Sequence, residues 1–463
     1  MQLVVASSYA QLILPTQLDS NGIYTIKNII ITGNKKTKNY IVIRDIIFAI
    51  GDSIPYIKLQ PILDRSQRNI YNNTLFNDVK LIAVPTPNKP YDLTIYITVI
   101  ERWYIYPIPT FELYDRNYKV WAKVYNSDIS RVKYGLKFSH NNFTGRRDKL
   151  SINIIDGFSK EYSFDYNQPY ADKKLEHGFG FGGGYVKRIG VSYNDSLNTA
   201  LPRQLCASCA KPDFTQYQQK DYYASVNYSY RNGPYRREII GLNYINSSIT
   251  DTLAALNRNY FLYGRTKAQF FDLTYYSIYN KVDYFAYPLR GQYYQIRSRL
   301  RFSVKDLNFL QLSAYSSKYV KLAKKLYAST QNSATINMNE NEESYYNLKT
   351  TNTDIPNIHG LEQYSIVANW SIATRNTIKY KLYDGTIKYP FKIFKYNDAP
   401  LKIFVRAFAD LAYAKLTFPN YSNLHNTLLH GYGLGIDIIT RYDYTFGVDF
   451  TTNHFGKFSI YFK

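Results

Sequence analysis

"GYGLGIDIIT", residues 431–440, decides the fold of the larger part of this chain. Tyr432, Leu434, Ile436 and Ile438 fall on one side of an extended strand, with Gly431, Gly433, Gly435 and Asp437 on the other, because successive strand side chains point to opposite faces. One side is continuously apolar or aromatic; the other is small, polar or charged. The same period of two runs through "RVKYGLKFSH" (131–140), "KLSINIIDGF" (149–158), "YYASVNYSY" (222–230), "QYYQIRSRLRFSV" (292–304) and "LKIFVRAFADLAYA" (401–414). From Trp103 onward no helical period competes with it. The chain ends in the same way: "KFSIYFK" (457–463) sets Phe458, Ile460 and Phe462 against Lys457, Ser459 and Tyr461.

A soluble sandwich alternates too, and three features separate the two cases. Aromatics make up 17% of the chain, with 50 Tyr and 26 Phe, as interfacial girdles require. The face opposite the apolar one is polar. The segments are also close to the ~9–11 residues with which a tilted strand crosses a bilayer. Mean hydropathy is -0.37, and the apolar runs fall far short of the ~18–20 residues of a membrane helix. Dividing the chain beyond residue 102 by roughly 22 residues per strand and connection gives about sixteen antiparallel strands. Closing them into a barrel leaves no edge exposed to lipid.

Residues 22–102 read differently. "IYTIKNIIITGN" (23–34) is a β-branched strand ending in a turn at Gly33-Asn34. "TKNYIVIRDIIFAIGD" (37–52) predicts a helix from Ile41 past Phe48, with Thr37 as its N-cap and Gly51 as its stop. "KLQPILDRSQRNIYNNTLF" (58–76) puts Leu59, Leu63 and Ile70 on one helical face, with Pro61 near the start, where a missing N–H is harmless. "FNDVKLIAV" (76–84) and "YDLTIYITVIE" (91–101) are strands flanking the Pro-rich connector "PTPNKP". Strand, helix, helix, strand, strand makes one small α+β domain with its helices on one face of the sheet. Before it, "MQLVVASSYAQ" (1–11) looks like a degenerate or truncated leader spanning residues 1–20: the small residues before Gln11 suit a cleavage site, while a basic n-region is missing.

The formal charge of +22, from 57 Lys+Arg against 35 Asp+Glu, raises nucleic acid as a partner. The basic residues, however, are scattered singly along alternating segments. Lys, Asn, Ile and Tyr are all heavily used, as AT-rich codons produce, so no nucleic-acid partner is expected. Cys206 and Cys209 in "LCASCA" form a single pair with no second pair or histidine nearby; a zinc site is not expected, and a disulfide or two free thiols remain open. The six histidines (140, 177, 359, 425, 430 and 454) are dispersed without metal or triad spacing. Neither catalysis nor a cofactor is expected.

Several stretches resemble a known family. "IIITGNKKTKNYIVIRDI" (29–46) and "LQPILDRSQRNIYNNTLFNDVKL" (59–81) are similar to a POTRA domain, with Gly33 and Asn34 at its turn. "VIERWYIYPIPTFELYDRN" (99–117) is similar to the junction and first barrel strand of the BamA/TamA outer-membrane assembly family, also called the bacterial surface antigen family, in a short form with one POTRA domain. "DYFAYPLRGQYY" (283–294) resembles its strand-turn-strand, with Pro288, Arg290 and Gly291 in the turn. "NIHGLEQYSI" (357–366) stands where the family folds a loop into the barrel, and "AFADLAYAK" (407–415) resembles the wall strand whose acid, here Asp410, meets that loop. The family's loop carries Arg-Gly-aromatic; here the stretch is His359, Gly360, Leu361 and Glu362. Imidazole engages a carboxylate through one nitrogen where guanidinium uses two, so a weaker lock is expected.

The resemblance implies an α+β POTRA domain (22–102) in the periplasm and an all-β transmembrane barrel (103–463) in the bacterial outer membrane. It implies a non-enzymatic factor that captures unfolded outer-membrane proteins and inserts them at a lateral seam, with outer-membrane lipid and accessory lipoproteins as further partners. Tyr104, Tyr106 and Phe111 on one side, and Phe458, Ile460 and Phe462 on the other, are the expected seam. A secretion pore for one partner protein is the alternative; its family normally has two POTRA domains and a plug helix.

Overall fold

The structure, a computed structural model, describes residues 18–113, 121–122, 126–194, 203–204, 217–303, 307–339, 344–347, 358–361, 368–393, 396–416, 424–440 and 444–462. It divides into two compact units at Arg102/Trp103. The leader, Cys206, Cys209, Glu362 and Lys463 lie outside the described residues, save for residues 18–20 of the leader.

The first unit runs β1 (Ile23–Thr32), α1 (Asn39–Ile43), β2 (Ser53–Pro55), α2 (Tyr56–Asn72), β3 (Phe76–Thr86) and β4 (Lys89–Glu101). Its sheet is ordered β2-β1-β4-β3, with β1 parallel to β4 and the other pairs antiparallel. A parallel pair needs a crossover connection, and the helical segments supply it. α2 buries Leu59, Leu63, Ser66 and Ile70 against a core that includes Ile26, Ile41, Phe76, Leu93, Ile95 and Ile97. α1 is much shorter than its apolar pattern predicts. It stops at Ile43, and its N-cap is Lys38, without a side-chain bond. Thr37 is instead held from outside: its N–H donates to Glu101 Oε1 at 2.6 Å, and the Lys36 N–H donates to the same carboxylate. Both N–H groups lie before the helix, so the carboxylate anchors the chain leading into α1 rather than capping it. The connector is tighter than expected too, since β3 and β4 run through its prolines and turn at Pro87-Asn88.

The second unit is one sixteen-stranded antiparallel meander. It comprises β5 (Ile105–Leu113), β6 (Val132–Asn141), β7 (Lys149–Gly157), β8 (Ser159–Gln168) and β9 (His177–Arg188), then, after two short strands outside the sheet, β10 (Ser192–Asn194) and β11 (Arg203–Gln204), it resumes. The continuation is β12 (Gln219–Asn232), β13 (Arg236–Ile249), β14 (Lys267–Val282), β15 (Gly291–Ser303), β16 (Phe309–Lys321), β17 (Leu326–Asn339), β18 (Trp370–Ile393), β19 (Tyr396–Lys415), β20 (Leu428–Ile439), β21 (Thr445–Asn453) and β22 (Phe458–Phe462). Each strand pairs with its neighbour in chain order, β9 meeting β12. Helix α3 (Asp251–Leu256), capped by the Thr250 hydroxyl, lies in the β13–β14 connection.

The long β17–β18 connection identifies the inner face of this barrel sheet. Residues 344–347 pack on β14 and β15, where Arg301 Nη1 donates to Asn347 Oδ1 at 2.7 Å and Tyr346 meets Phe270. Residues 358–361 reach β19, β20 and β21. The opposite face is apolar on strand after strand: Phe111, Tyr134, Ile154, Phe181, Val226, Leu242, Leu273, Ile296, Ile336, Leu411, Leu434 and Ile460 are all exposed there. In β20 the outward set is Tyr432, Leu434, Ile436 and Ile438, while Gly431, Gly435 and Asp437 are inward and buried. Two strands exceed the rest: β18 has 24 residues and β19 has 20.

Candidate functional site

The centre of the site is the tip of the β17–β18 connection, seated on the inner wall. β19 presents alternate residues inward, so Arg406, Phe408 and Asp410 form one row. Asp437 of β20, Asp449 of β21 and Arg375 of β18 stand beside them. The His359 backbone N–H donates to Asp410 Oδ2 at 3.0 Å, and its ring Nδ1 lies 2.6 Å from the same oxygen. The ring stacks on Phe408, with centroids 3.9 Å apart and planes at 24°. On the far side of the ring, Arg375 Nη2 and Arg406 Nη1 point at Nε2 from 3.1 and 3.4 Å. Guanidinium can only donate, so a proton on Nδ1, facing Asp410, with Nε2 as acceptor matches these contacts, while Asp449 Oδ2 stands 3.7 Å from Nε2.

The permanent positive charge therefore sits on the wall and not on the loop. Arg406 Nε bonds Asp437 Oδ1 at 3.0 Å, and its Nη2 donates to Asp449. All three side chains are buried, and breaking one member of such a set strands a buried charge.

β20 makes room for the loop. A Cβ on Gly431 would stand 1.9 Å from the His359 carbonyl oxygen, and one on Gly435 would stand 2.4 Å from Asp449 Oδ1. Glycine is what lets one backbone approach another this closely. At the tip, Gly360 has φ +84, and its carbonyl accepts from Asn453 Nδ2 at 2.8 Å. Ile358 and Leu361 are buried with Ala368, Ala373, Ala412, Ala414, Leu424 and Leu429.

The Pro-x-Arg-Gly turn between β14 and β15 is a second inward anchor. Asp283 Oδ1 accepts from the backbone N–H groups of Tyr284, Leu289 and Arg290, at 2.9 to 3.1 Å. Gly291 has φ +108, and a Cβ there would meet the Lys281 carbonyl at 2.1 Å. The turn sends Tyr287 across to Asp437, its hydroxyl donating at 2.6 Å, with the ring against Phe404 and Lys379 Nζ 3.9 Å above it. A further ion pair lies within the wall, between ladder partners of β14 and β15: Arg301 binds Asp272 through Nε and Nη2 at 2.6 and 2.7 Å, between Phe270 and Phe309, and its Nη1 holds Asn347 of the β17–β18 connection.

At the ends of the sheet, β5 pairs with β6 and β22 with β21, and among the described residues no ladder joins β5 to β22. β22 has 5 residues, and Phe458, Ile460 and Phe462 are exposed, as is Phe111 on β5. Tyr104 precedes β5 and its carbonyl accepts from the Asn141 N–H; the Tyr106 hydroxyl donates to the Trp103 carbonyl at 2.6 Å. In the first unit Gly33 has φ +91, and Asn34 Nδ2 donates to the Thr37 carbonyl.

Of the residues singled out from sequence, His359, Gly360, Leu361 and Asp410 come together, and Pro288, Arg290 and Gly291 share one turn. The seam residues lie on or just before β5 and on β22, which share no ladder among the described residues. Sequence reasoning missed Arg375, Arg406, Phe408, Asp437, Asp449, Asp283 and Tyr287. The glycine face of β20 was the available signal for a close approach.

No family model and no curated protein matches the chain. Among solved structures it is similar to BamA from Haemophilus ducreyi lacking POTRA domains 1-3, at 14% identity over 95% of this chain and 83% of that one, TM-score 0.49. It is also similar to CdiB from Acinetobacter baumannii, at 11% identity over 93% and 70%, TM-score 0.45. For CdiB from Escherichia coli the identity is 9% over 97% and 92%, TM-score 0.45. At identities this low and scores under one half, no role passes from those proteins to this one.

Proposed function

We propose that the chain is an assembly factor of the bacterial outer membrane, which captures unfolded β-strands and templates them at the seam between β5 and β22. The observation that carries this reading is that the two ends of a sixteen-stranded sheet with an apolar outer face share no ladder among the described residues. In hydrocarbon, every backbone polar group needs a partner. An open seam is where the wall offers hydrogen bonds to an arriving strand, and such pairing asks little of the client's sequence. Exposed Phe458, Ile460 and Phe462 give that strand an apolar face to continue.

Residues 22–102 act as a POTRA domain in the periplasm, with edge strands β2 and β3 taking the client by β-augmentation. The His359 tip holds the β17–β18 connection on β19 to β21, next to the short closing strand. Unfolded outer-membrane proteins are the partners, along with lipid and accessory lipoproteins, and no covalent chemistry is involved.

The test is to join β5 to β22 with a flexible linker attached through a disulfide at each end to cysteines at Ile108 and Ser459, in a Cys206→Ser/Cys209→Ser background. Linked protein should lose insertion of unfolded barrel proteins into vesicles, and reduction should restore it. Undiminished insertion by the linked form would sink the seam. Depletion in the cell should lower folded outer-membrane proteins generally; loss of one exported protein would favour a secretion pore.

A further inference from the structure

We propose that the projecting ends of β18 and β19 form a second docking edge, at Tyr383–Lys388, for an extended polypeptide strand; the inference rests on the assembly reading above. β18 pairs with β17 only as far as Tyr380, the partner of Leu326, after which the Lys381 N–H donates to the Lys325 carbonyl at 2.8 Å. β19 joins β20 only from Lys402, the partner of Ile439. Beyond these points the two strands pair with each other, through Asp384↔Lys402, Thr386↔Pro400 and Lys388↔Asp398 to Ile393↔Tyr396. A two-stranded ribbon therefore runs past the rim, and among the described residues neither of its outer edges has a neighbour. Because the strands alternate in direction, this is the rim at which β5 begins.

An isolated two-stranded ribbon is marginal in water; here the wall that continues it holds it in strand form. An edge strand turns a row of N–H and C=O groups outward, and the geometry of that row specifies its occupant as another strand. The two edges are not equal. β19 carries Pro400, which has no N–H to give, whereas Tyr383–Lys388 contains no proline and spans roughly 20 Å at ~3.3 Å per residue. Leu382, Tyr383 and Ile387 are 57%, 43% and 41% exposed, giving the edge apolar side chains for an alternating strand to cover.

Charge decides between occupants. Between residues 381 and 402 the sequence carries five Lys against two Asp, and Lys381 bridges Asp384 at 2.7 Å, so the ribbon is basic overall. Lysines on an edge repel a second copy of the same ribbon and admit a strand bearing carboxylates. The occupant is thus an unfolded, alternating, carboxylate-bearing segment of a client.

The experiment places benzophenone-alanine at Ile387 of the full chain in detergent micelles. The probe is a biotinylated peptide of residues 268–279, an alternating strand that contains Asp272. The same peptide N-methylated at every amide keeps the side chains and loses the donors. Expected is labelling by the parent peptide and about tenfold less by the methylated one, a difference near 1.4 kcal/mol. Equal labelling by both peptides would mean apolar adhesion and overturn the proposal. So would no labelling, or cross-linking to residues 22–102 or to a second copy.

A shortened chain, with residues 383–401 replaced by Asn-Gly, should insert clients about tenfold more slowly than the full chain. If it keeps its heat-modifiable migration and inserts at the full rate, the docking edge is overturned while the assembly reading stands. If the full chain itself inserts nothing, the assembly reading falls and the cross-link decides the edge. If the shortened chain fails to fold, the cross-link alone decides the edge and the assembly reading is judged on the full chain.

Discussion

Gly431→Ala should unseat the loop tip. The added Cβ would stand 1.9 Å from the His359 carbonyl oxygen, which is backbone and has no rotamer to escape through. Either β20 or residues 358–361 must move, and β20 is held by ladders on both sides. The loop gives way, losing the two bonds from His359 to Asp410 at 3.0 and 2.6 Å and the Asn453 to Gly360 bond at 2.8 Å. A hydrogen bond to a charged group contributes about 1.5–3 kcal/mol net. Bonds made by one residue are not additive, so about 3 kcal/mol is the reasonable total. Local opening scales with this difference, and at 1.4 kcal/mol per decade the His359 and Gly360 amides should exchange with deuterium roughly 100-fold faster. Hydrogen-exchange mass spectrometry on peptides covering 358–361 reads this directly, with β13 peptides as an internal reference. Asp410→Asn should raise the same amides by a comparable factor. Unchanged protection in Gly431→Ala would refute the seating of the loop on β20.

Three further outcomes follow from the geometry. Asp272→Ala strands the buried Arg301 charge and should cost about 3–5 kcal/mol, whereas Asp272→Leu with Arg301→Met should cost far less; the temperature at which the unheated gel form converts to the unfolded one compares them. Glu101→Ala removes the acceptor for the Lys36 and Thr37 N–H groups and should destabilise the first unit by about 1–3 kcal/mol, seen as faster exchange of residues 35–41 with the barrel strands unchanged. In the β8–β9 turn, burial works to raise the Asp172 carboxyl, but the N–H groups of His177, Glu176 and Lys174 outweigh it and hold it below the usual carboxylate range. A depressed folded pKa gives stability present above the unfolded value of about 3.9 and lost as pH falls through the folded one; protection of residues 174–177 should drop there, and Asp172→Asn should abolish that dependence.

The larger unit was legible because an apolar face that repeats every two residues specifies strands, and β20 displays it without interruption; the aromatic content and strand length then separated a barrel from a sandwich. α2 was legible for the matching reason, with Leu59, Leu63 and Ile70 at helical spacing. α1 misled because Ile46, Ile47 and Phe48 continue an apolar run that the chain spends on an irregular segment, while Glu101, distant in sequence, supplies the donors' partner at Thr37. The site divides similarly. His359 and Asp410 stood out through the resemblance of their stretches to a family's loop and wall strand, but Arg406, Asp437 and Asp449 sit on three strands, and each looks like any inward polar residue of an alternating segment. Which of them touch is fixed by register between strands, which no single stretch contains. The projecting ribbon was not read from the sequence, where Pro390 and Pro400 interrupt the stretch before "LKIFVRAFADLAYA".

The glycine face of β20 also bears on which changes the gene can tolerate. Every glycine codon begins with two guanines, and this chain is rich in Lys, Asn, Ile and Tyr, the residues that drift toward adenine and thymine favours. One such step in the first two codon positions at Gly431 or Gly435 yields Ser, Arg, Asp, Glu, Cys, Trp, Val or a stop, and each of these residues brings a Cβ that the wall leaves no room for. Tyr432, Leu434 and Ile436 point outward and can exchange among apolar residues. Purifying selection on this strand should therefore alternate with its pleat, heavy on one residue and light on the next.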